Sequence, residues 1–382
     1  MMSTLPQYSE DTAGIYIHIP FCRKACHYCD FHFSTHTQYQ SEMVDSITVE
    51  LKIRSQELSR KTVKTLYFGG GTPSVLTQGQ LMVIMETVAA QYQLSDDLEI
   101  TFEGNPDDLD RKYLTLLQDV GVTRLSIGVQ SFDEAELKWM NRNHSAKESR
   151  LILDLLENEF SYDYSADLIY GVPISEPALW YRNLETMTKY RVPHLSCYNL
   201  TVEPGTALHH MVAKGKSKTT DDQVSSDLFV GTETYLQTQG YQNYEVSNYA
   251  RDGKYSQHNT GYWFGNAYLG IGPGAHSYDG KSRAWNIANN AKYLDALGKG
   301  NLNQKVEHLT PIDRHNEGIM TGLRTQWGVS MDVLTDKSEI YLAEAYCDDG
   351  LATIRDNRLI LTTKGRLQCD NLSSQLFRED SE

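Results

Sequence analysis

Between residues 15 and 198 the sequence alternates short apolar runs with segments of helical period, and this alternation leaves few architectures open. Ile15-Tyr16-Ile17-His18-Ile19 reads as a strand ended by Pro20. Met43, Ile47 and Leu51 then share one helical face. Val63 to Phe68 reads as a buried strand followed by Gly69-Gly70-Gly71, and Leu81, Ile84, Met85, Val88 and Tyr92 follow a helical period. The rhythm continues with strands at 98–102, 124–129, 164–169 and 195–198. Helical segments lie at 107–117, 131–140, 151–156 and around Leu184. A strand-helix repeat of roughly 30 residues predicts βα units on a parallel sheet. About six units favour a closed or partial (β/α)6-type barrel. A doubly wound open sheet is the alternative.

After Pro204 the rhythm changes. A helix is expected at 222–239, and the stretch from Tyr241 to Trp285 is dense in Tyr, Trp, Gly and Asn, with no clear period. Beyond Val306 the pattern predicts a helix at 314–323. A hairpin is expected over Ala352–Arg355 and Arg358–Leu361, turning on Asp356-Asn357, and then a helix capped by Thr363 and running through Leu367, Leu372 and Leu376. The chain of 382 residues is too long for one ordinary core. The expected division is an α/β barrel over 1–205, a barrel extension over 206–300, and a smaller helical, winged-helix-like domain over 301–382.

Charge and composition narrow the partners. The net charge of −15 disfavours duplex nucleic acid, whose phosphates would be repelled. No apolar run is long enough to span a bilayer, and Met1 to Glu10 is polar, without the features of an export signal. A cytosolic location is the expectation. In a reducing cytosol disulfides are rare, so clustered cysteines there suggest metal or redox chemistry.

Of six cysteines, Cys22, Cys26 and Cys29 form a C-x3-C-x2-C cluster. Thiolates are soft donors that suit iron–sulfur clusters or zinc. Three thiolates on a [4Fe–4S] cubane leave one iron without a protein ligand, free to bind a small molecule. The alternative is a closed zinc site completed by one of His18, His27, His32 or His36. Cys197, Cys347 and Cys369 are isolated and read as ordinary thiols.

In barrels, functional groups gather at the carboxyl ends of strands. Here those positions hold Gly69-Gly70-Gly71-Thr72-Pro73, Glu103-Gly104-Asn105-Pro106, Gln130 and Asp167, with Arg142 after the next helix. Such groups suit S-adenosylmethionine (SAM). Glycine backbone and a carboxylate can hold its ammonium, Arg142 can pair with its carboxylate, and Asp167 or Glu103 can accept from ribose hydroxyls. Singly, each of these residues is equally a cap or a turn.

Taken together the motifs are recognisable. Tyr16-x-His18-Ile19-Pro20-Phe21-Cys22-x3-Cys26-x-Tyr28-Cys29 resembles the radical SAM proteins related to oxygen-independent coproporphyrinogen III dehydrogenase. The likeness extends through Gly69–Pro73, Glu103–Pro106, Ser126–Phe132, Asp167–Pro173 and Tyr268–Ala275, nearly the whole chain. Within that group the chain resembles the HemW branch of haem chaperones. Phe31 stands where the dehydrogenases have a further cysteine, and 21 residues precede Cys22 where they carry a longer segment. His258-Asn259-Thr260-Gly261-Tyr262-Trp263 matches the branch's H-N-x-x-Y-W motif.

The resemblance implies a [4Fe–4S] cluster on Cys22, Cys26 and Cys29. It implies that Tyr16 and Tyr28 flank the site and that Gly70, Gly71, Thr72, Glu103, Gln130, Arg142 and Asp167 contact SAM. It also implies haem as cargo, with His258 as candidate ligand and His276 as a second. His209-His210 reads as a solvated pair. The expected partners are a haem-accepting protein, such as a membrane respiratory enzyme, and an electron donor protein. Nucleic acid is not expected. The rival expectation is an enzyme that uses reduced cluster and SAM for oxidative decarboxylation of coproporphyrinogen III. A third reading is an interaction module with a structural metal, in which the terminal hairpin and helix meet nucleic acid.

Overall fold

The computed structural model describes residues 9–379. The polar stretch at residues 1–8, read above as lacking an export signal, lies outside the described residues. The strands are β1 (Thr12–Ile19), β2 (Thr62–Gly70), β3 (Leu94–Gly104), β4 (Arg124–Gln130), β5 (Asp163–Tyr170) and β6 (His194–Asn199), followed by β7 (Gln242–Glu245), β8 (Asn248–Ala250) and β9 (Ala267–Ile271). Then come β10 (His276–Tyr278), β11 (Ser282–Asn286), β12 (Gln304–His308), β13 (Val329–Ser330), β14 (Ala352–Arg355) and β15 (Arg358–Leu361).

β1 to β6 lie side by side in chain order, each parallel to the next. The six expected βα units are therefore present. The sheet does not close into a barrel. β9 adds a parallel strand beyond β1, β10 to β12 continue antiparallel, and β8 and β7 extend the other side, with β12 and β7 as the two ends. Among the described residues no helix is long and apolar enough to cross a membrane.

The pleat sorts the residues. In β1, Ile15, Ile17 and Ile19 are fully buried and face the covering helices. Helix Gln40–Ile53 buries Met43, Ile47 and Leu51 against them, and helix Gln78–Gln91 buries Leu81, Ile84 and Val88. Each such side chain contributes about 1.5–3 kcal/mol by leaving water. The alternate residues face inward and are polar: Tyr67 in β2, Thr101 and Glu103 in β3, Ser126 and Gln130 in β4, Ser165 and Asp167 in β5, Ser196 and Tyr198 in β6. A parallel sheet covered on both faces usually reads apolar throughout. Period-two polarity here marks a face that lines a cavity.

Several element boundaries differ from expectation; the helix expected at 131–140 begins at Glu134, under an Asp133 cap. The helix expected at 107–117 begins only at Arg111, capped by Asp110, whose carboxylate accepts from the Tyr113 N–H at 2.7 Å. Asp107 and Asp108 instead hold loops: Asp108 pairs with Arg23 at 2.5 Å and accepts from Ser74, and Asp107 accepts from Asn143. At the C-terminus, Thr362 caps the chain rather than Thr363, and the helix splits into Thr363–Arg366 and Cys369–Gln375. The hairpin is as expected. Asp356 and Asn357 both adopt positive φ, 49° and 59°, the turn that matches strand twist. A separate core of Ile319, Leu323, Val329, Ala343, Leu359, Leu361 and Leu372 holds this last part together.

Candidate functional site

The segment after Pro20 is pinned at both ends. Cys22 N–H donates to Ser34 O at 3.0 Å, and Ser34 N–H donates to Pro20 O at 2.8 Å. Its middle is tied to the end of helix Glu134–Trp139 and the residues just past it: His27 N–H donates to Met140 O, His27 Nδ1 bonds Trp139 O at 2.7 Å, and Asn141 donates to Ala25 O at 2.6 Å. This loop carries Cys22, Cys26 and Cys29 to the mouth of a cavity of about 440 Å³ at the carboxyl ends of β2 to β6. Glycines shape the facing wall. A Cβ on Gly71 would lie 2.6 Å from Phe21 O and 2.7 Å from Ile19 O, and Gly70 has φ +104° with the His18 ring beneath it.

Three of the four histidines considered for zinc are engaged elsewhere. His18 Nε2 bonds His32 O at 2.8 Å, His27 bonds Trp139 O, and His32 Nε2 bonds Asn290 at 2.7 Å. Among the described residues no three His, Cys, Asp or Glu side chains converge on a single ion. Burial raises the Cys22 thiol and pushes Cys29 up to about 12. A metal bound there would hold both as thiolates. Arg142 stands against the cysteines. Its Nη1 donates to Cys26 Sγ at 3.4 Å, and its Nη2 donates to Asn105 at 2.5 Å and to Gly128 O at 2.8 Å. A Cβ on Gly128 would lie 3.0 Å from that guanidinium, so the glycine makes room for it. A two-pronged grip on a ligand carboxylate would displace one of these contacts, since only Nε is unpartnered.

Two of the lining residues also carry a buried oxygen without a partner, Asp167 Oδ1 and Gln130 Oε1. Gln130 is itself in a strained conformation, φ 65°. Glu103 accepts from Tyr67 OH at 2.7 Å and from Gly70 N–H at 3.2 Å. Burial lifts its carboxyl to about 7, with Asp167 adding to the rise, and burial lifts Asp167 to about 6. Two carboxyls raised in one polar cavity, with unpartnered oxygen, are chemically suited to a cationic ligand.

Every cavity residue expected above lines this space except Tyr16 and His258. Tyr28 does line it. Tyr16 stacks on Tyr67, 5.9 Å between centroids, and opens instead on a second cavity of about 1090 Å³ across β1. His258 opens on neither. It is 3% exposed, its Nδ1 bonds Thr65 Oγ1 at 2.8 Å, and its Nε2 bonds Tyr262 OH at 2.7 Å. Haem ligation by His258 would require one of those bonds to break. His276 does line the second cavity, as do Tyr262 and Trp263 from helix Gln257–Trp263. His210 is exposed, whereas His209 is half-buried with Nδ1 unpartnered. Sequence reasoning missed Tyr67, Arg124, His194, Ser196 and Tyr198, all on the inner face. The alternation in each strand was the signal for them.

The chain matches the radical SAM superfamily over residues 16–212 and the HemN C-terminal domain over 309–368. It is 34% identical over 363 residues to the heme chaperone HemW of Mycobacterium tuberculosis H37Rv, covering 94% of this chain and 93% of that one. It is 30% identical over 362 residues to HemW of Bacillus subtilis, covering 92% and 96%. A mouse mitochondrial protein, radical S-adenosyl methionine domain-containing protein 1, is 34% identical over 342 residues, covering 85% and 76%. Among solved structures, the radical SAM enzyme coproporphyrinogen III oxidase (HemN) of Escherichia coli superposes with a TM-score of 0.81 at 24% identity, covering 97% and 91%, a likeness of fold. Family match, fold and near-full-length relatives agree: this chain belongs to the HemW branch of the radical SAM superfamily.

Proposed function

We propose that this protein is a haem chaperone that holds a [4Fe–4S] cluster and SAM in its smaller cavity, binds haem, and passes it to an acceptor protein. The family implies the cluster and SAM. The observation that carries their placement is the convergence on one cavity of three thiols with the unpartnered Asp167 Oδ1, Gln130 Oε1 and Arg142 Nε. Cys22, Cys26 and Cys29 would ligate the cluster, and Arg142 would stabilise the Cys26 thiolate. Gly70 and Gly71 allow close backbone approach, with Thr72 beside them. Glu103 and Asp167 would take the positive groups of SAM, and Gln130 a polar edge. When bound, the cluster supplies an open iron and one-electron chemistry. Tyr28 closes the pocket beside it. The near-full-length likeness to heme chaperones supports haem as cargo. The acidic chain disfavours nucleic acid as partner.

The test is a set of three measurements on anaerobically reconstituted protein. Iron and sulfide should each approach about four per chain, as a [4Fe–4S] cluster requires. Hemin should bind with a Soret band. Coproporphyrinogen III with SAM and reductant should yield no protoporphyrinogen. Decarboxylation at catalytic rates would instead support the enzyme reading. Absence of iron and sulfide, or zinc in their place, would refute the cluster.

A further inference from the structure

The larger cavity, about 1090 Å³, has about two and a half times the space of the cluster pocket and slightly exceeds the usual range for a small-molecule site. One wall is the β9–β11 side of the sheet, another is the C-terminal part, and a third is the segment Asp30-Phe31-His32 directly after the last cysteine. Its character differs from that of the cluster pocket. Tyr262, Trp263, Phe264, Tyr268 and Tyr278 give it an aromatic lining. Phe31, 65% exposed, stands at its edge.

Three histidines reach this cavity. His18 is held by Tyr16 OH and His32 O, and His32 by Asn290. His276 is exposed and lines the cavity, and among the described residues neither of its ring nitrogens has a hydrogen-bond partner within the protein. The ring stacks on Trp285, with centroids 6.0 Å apart and planes 20° apart, a contact that does not engage its nitrogens. Burial and then the Arg283 cation lower its pKa, so the ring is neutral at pH 7 and its lone pair is available.

Three arginines also reach it. Arg283 is matched by Glu317 at 2.9 Å. Among the described residues Arg314 and Arg358 have no carboxylate partner. Arg358 donates only to backbone carbonyls, those of Trp327 and Gly328. A flat aromatic macrocycle with one coordinating metal and two carboxylates satisfies all three features: aromatic walls, a free imidazole and two unmatched guanidinium groups.

We infer that haem is carried in this second cavity, with His276 as axial donor and Arg314 and Arg358 on its propionates. The inference rests on the haem-chaperone reading and locates its cargo. It gives the H-N-x-x-Y-W motif a different role from the one expected of it. Tyr262 and Trp263 form the wall, while His258, tied to Thr65 and Tyr262, braces the helix that presents them. It also places the cargo against the cluster loop, through Phe31.

The test is hemin titration of the reconstituted full chain, followed by absorbance and electron paramagnetic resonance, beside titration with metal-free protoporphyrin IX. His276→Ala should weaken hemin by about tenfold or more and lose the imidazole signature, with free imidazole restoring it. Its affinity for metal-free porphyrin should change less than about threefold, because no metal bond is lost. Arg314→Ala with Arg358→Ala should weaken both porphyrins by about tenfold or more, since both carry the propionates. His308→Ala, on the exposed edge strand β12, is the control and should match wild type. An unchanged hemin spectrum and affinity in His276→Ala would overturn this site while leaving the chaperone reading standing. So would a His258→Ala protein that keeps its circular dichroism and iron but alone loses the imidazole signature. Failure of wild type to bind hemin would overturn the chaperone reading itself, and this inference with it.

Discussion

Glu103 gives the sharpest quantitative test of the smaller cavity. Burial raises its carboxyl from the ordinary 4.5 to about 7, although Tyr67 OH and Gly70 N–H both donate to it. Holding it ionised above pH 7 therefore costs the SAM-free protein about 3 kcal/mol relative to an exposed glutamate. The sign follows from proton counting. The folded state binds more protons than the unfolded state between about pH 4.5 and 7, so folding stability falls as pH rises through that window. Glu103→Gln cannot ionise and removes this slope. Its amide keeps an acceptor for Tyr67 but turns a donor toward Gly70 N–H, a loss of about 1–2 kcal/mol at any pH.

The variant should thus be less stable than wild type by about 1–2 kcal/mol near pH 5 and more stable by about 1–2 kcal/mol near pH 8. The crossover, a swing of about 3 kcal/mol, is the signature. Urea unfolding of cluster-free and SAM-free protein at each pH measures it, because subtracting the two proteins cancels the C-terminal part. A swing under about 0.5 kcal/mol would mean that the carboxyl is hydrated and that the burial argument fails. SAM should act in the opposite sense on wild type. A cation beside Glu103 and Asp167 favours their ionised forms, so SAM should bind more tightly at about pH 8 than at about pH 5.5, and Glu103→Gln should lose most of that dependence.

Three further outcomes are expected. Gly71→Ala places a methyl against the backbone of Ile19 and Phe21, which cannot move without moving the cysteine loop, so it should lose about 1–3 kcal/mol of stability and most of its cluster iron, read by thermal melting and iron analysis. Arg54→Met strands Glu50, which is fully buried and 3.0 Å from the guanidinium, and should lose about 3–5 kcal/mol in urea unfolding. Arg23→Ala leaves Asp108, whose side chain is only 1% exposed, with Ser74 as its remaining donor, and should cost about 1–3 kcal/mol by the same measurement.

Much of this could be read from the residues, for physical reasons that differ from place to place. The helices were legible where one face is apolar and the other wet, as with Met43, Ile47 and Leu51. The start of the helix at Arg111 was not, because Asp107 and Asp108 have the composition of a helix start yet serve as loop ties to Asn143, Ser74 and Arg23, partners distant in sequence. The C-terminal cap slipped by one residue because Thr362 and Thr363 are chemically equal candidates and only the backbone distinguishes them. The stretch from Tyr241 to Trp285 was opaque because its strands have three to five residues, too short to display a period, and its helix has seven.

The inner face of the sheet was legible in principle. Thr101 and Glu103, Ser126 and Gln130, Ser165 and Asp167, and Ser196 and Tyr198 alternate with apolar residues in four consecutive strands. Strands buried under helices on both faces have no reason to do so. The same alternation in β1 accounts for the two-cavity layout. Ile15, Ile17 and Ile19 go to the helices, while Tyr16 and His18 go inward, at the seam between the strands that carry the cluster pocket and those that carry the larger cavity. β9 pairs with β1 on the side opposite β2, so a single strand borders both chambers. The cysteine loop leaves from the end of that strand, and Phe31 lines both spaces. A chain that had closed into a barrel after β6 would have had no room for β9 to β12, and so no wall on which to build the second chamber. The open sheet is thus what lets one polypeptide build two cavities that are separate yet share a few lining residues, Asp30 and Phe31 among them. If cofactor and cargo are bound as proposed, Phe31→Ala should alter the hemin spectrum when SAM is added and removed, relative to wild type. Identical SAM responses in the two proteins would show that the chambers act independently.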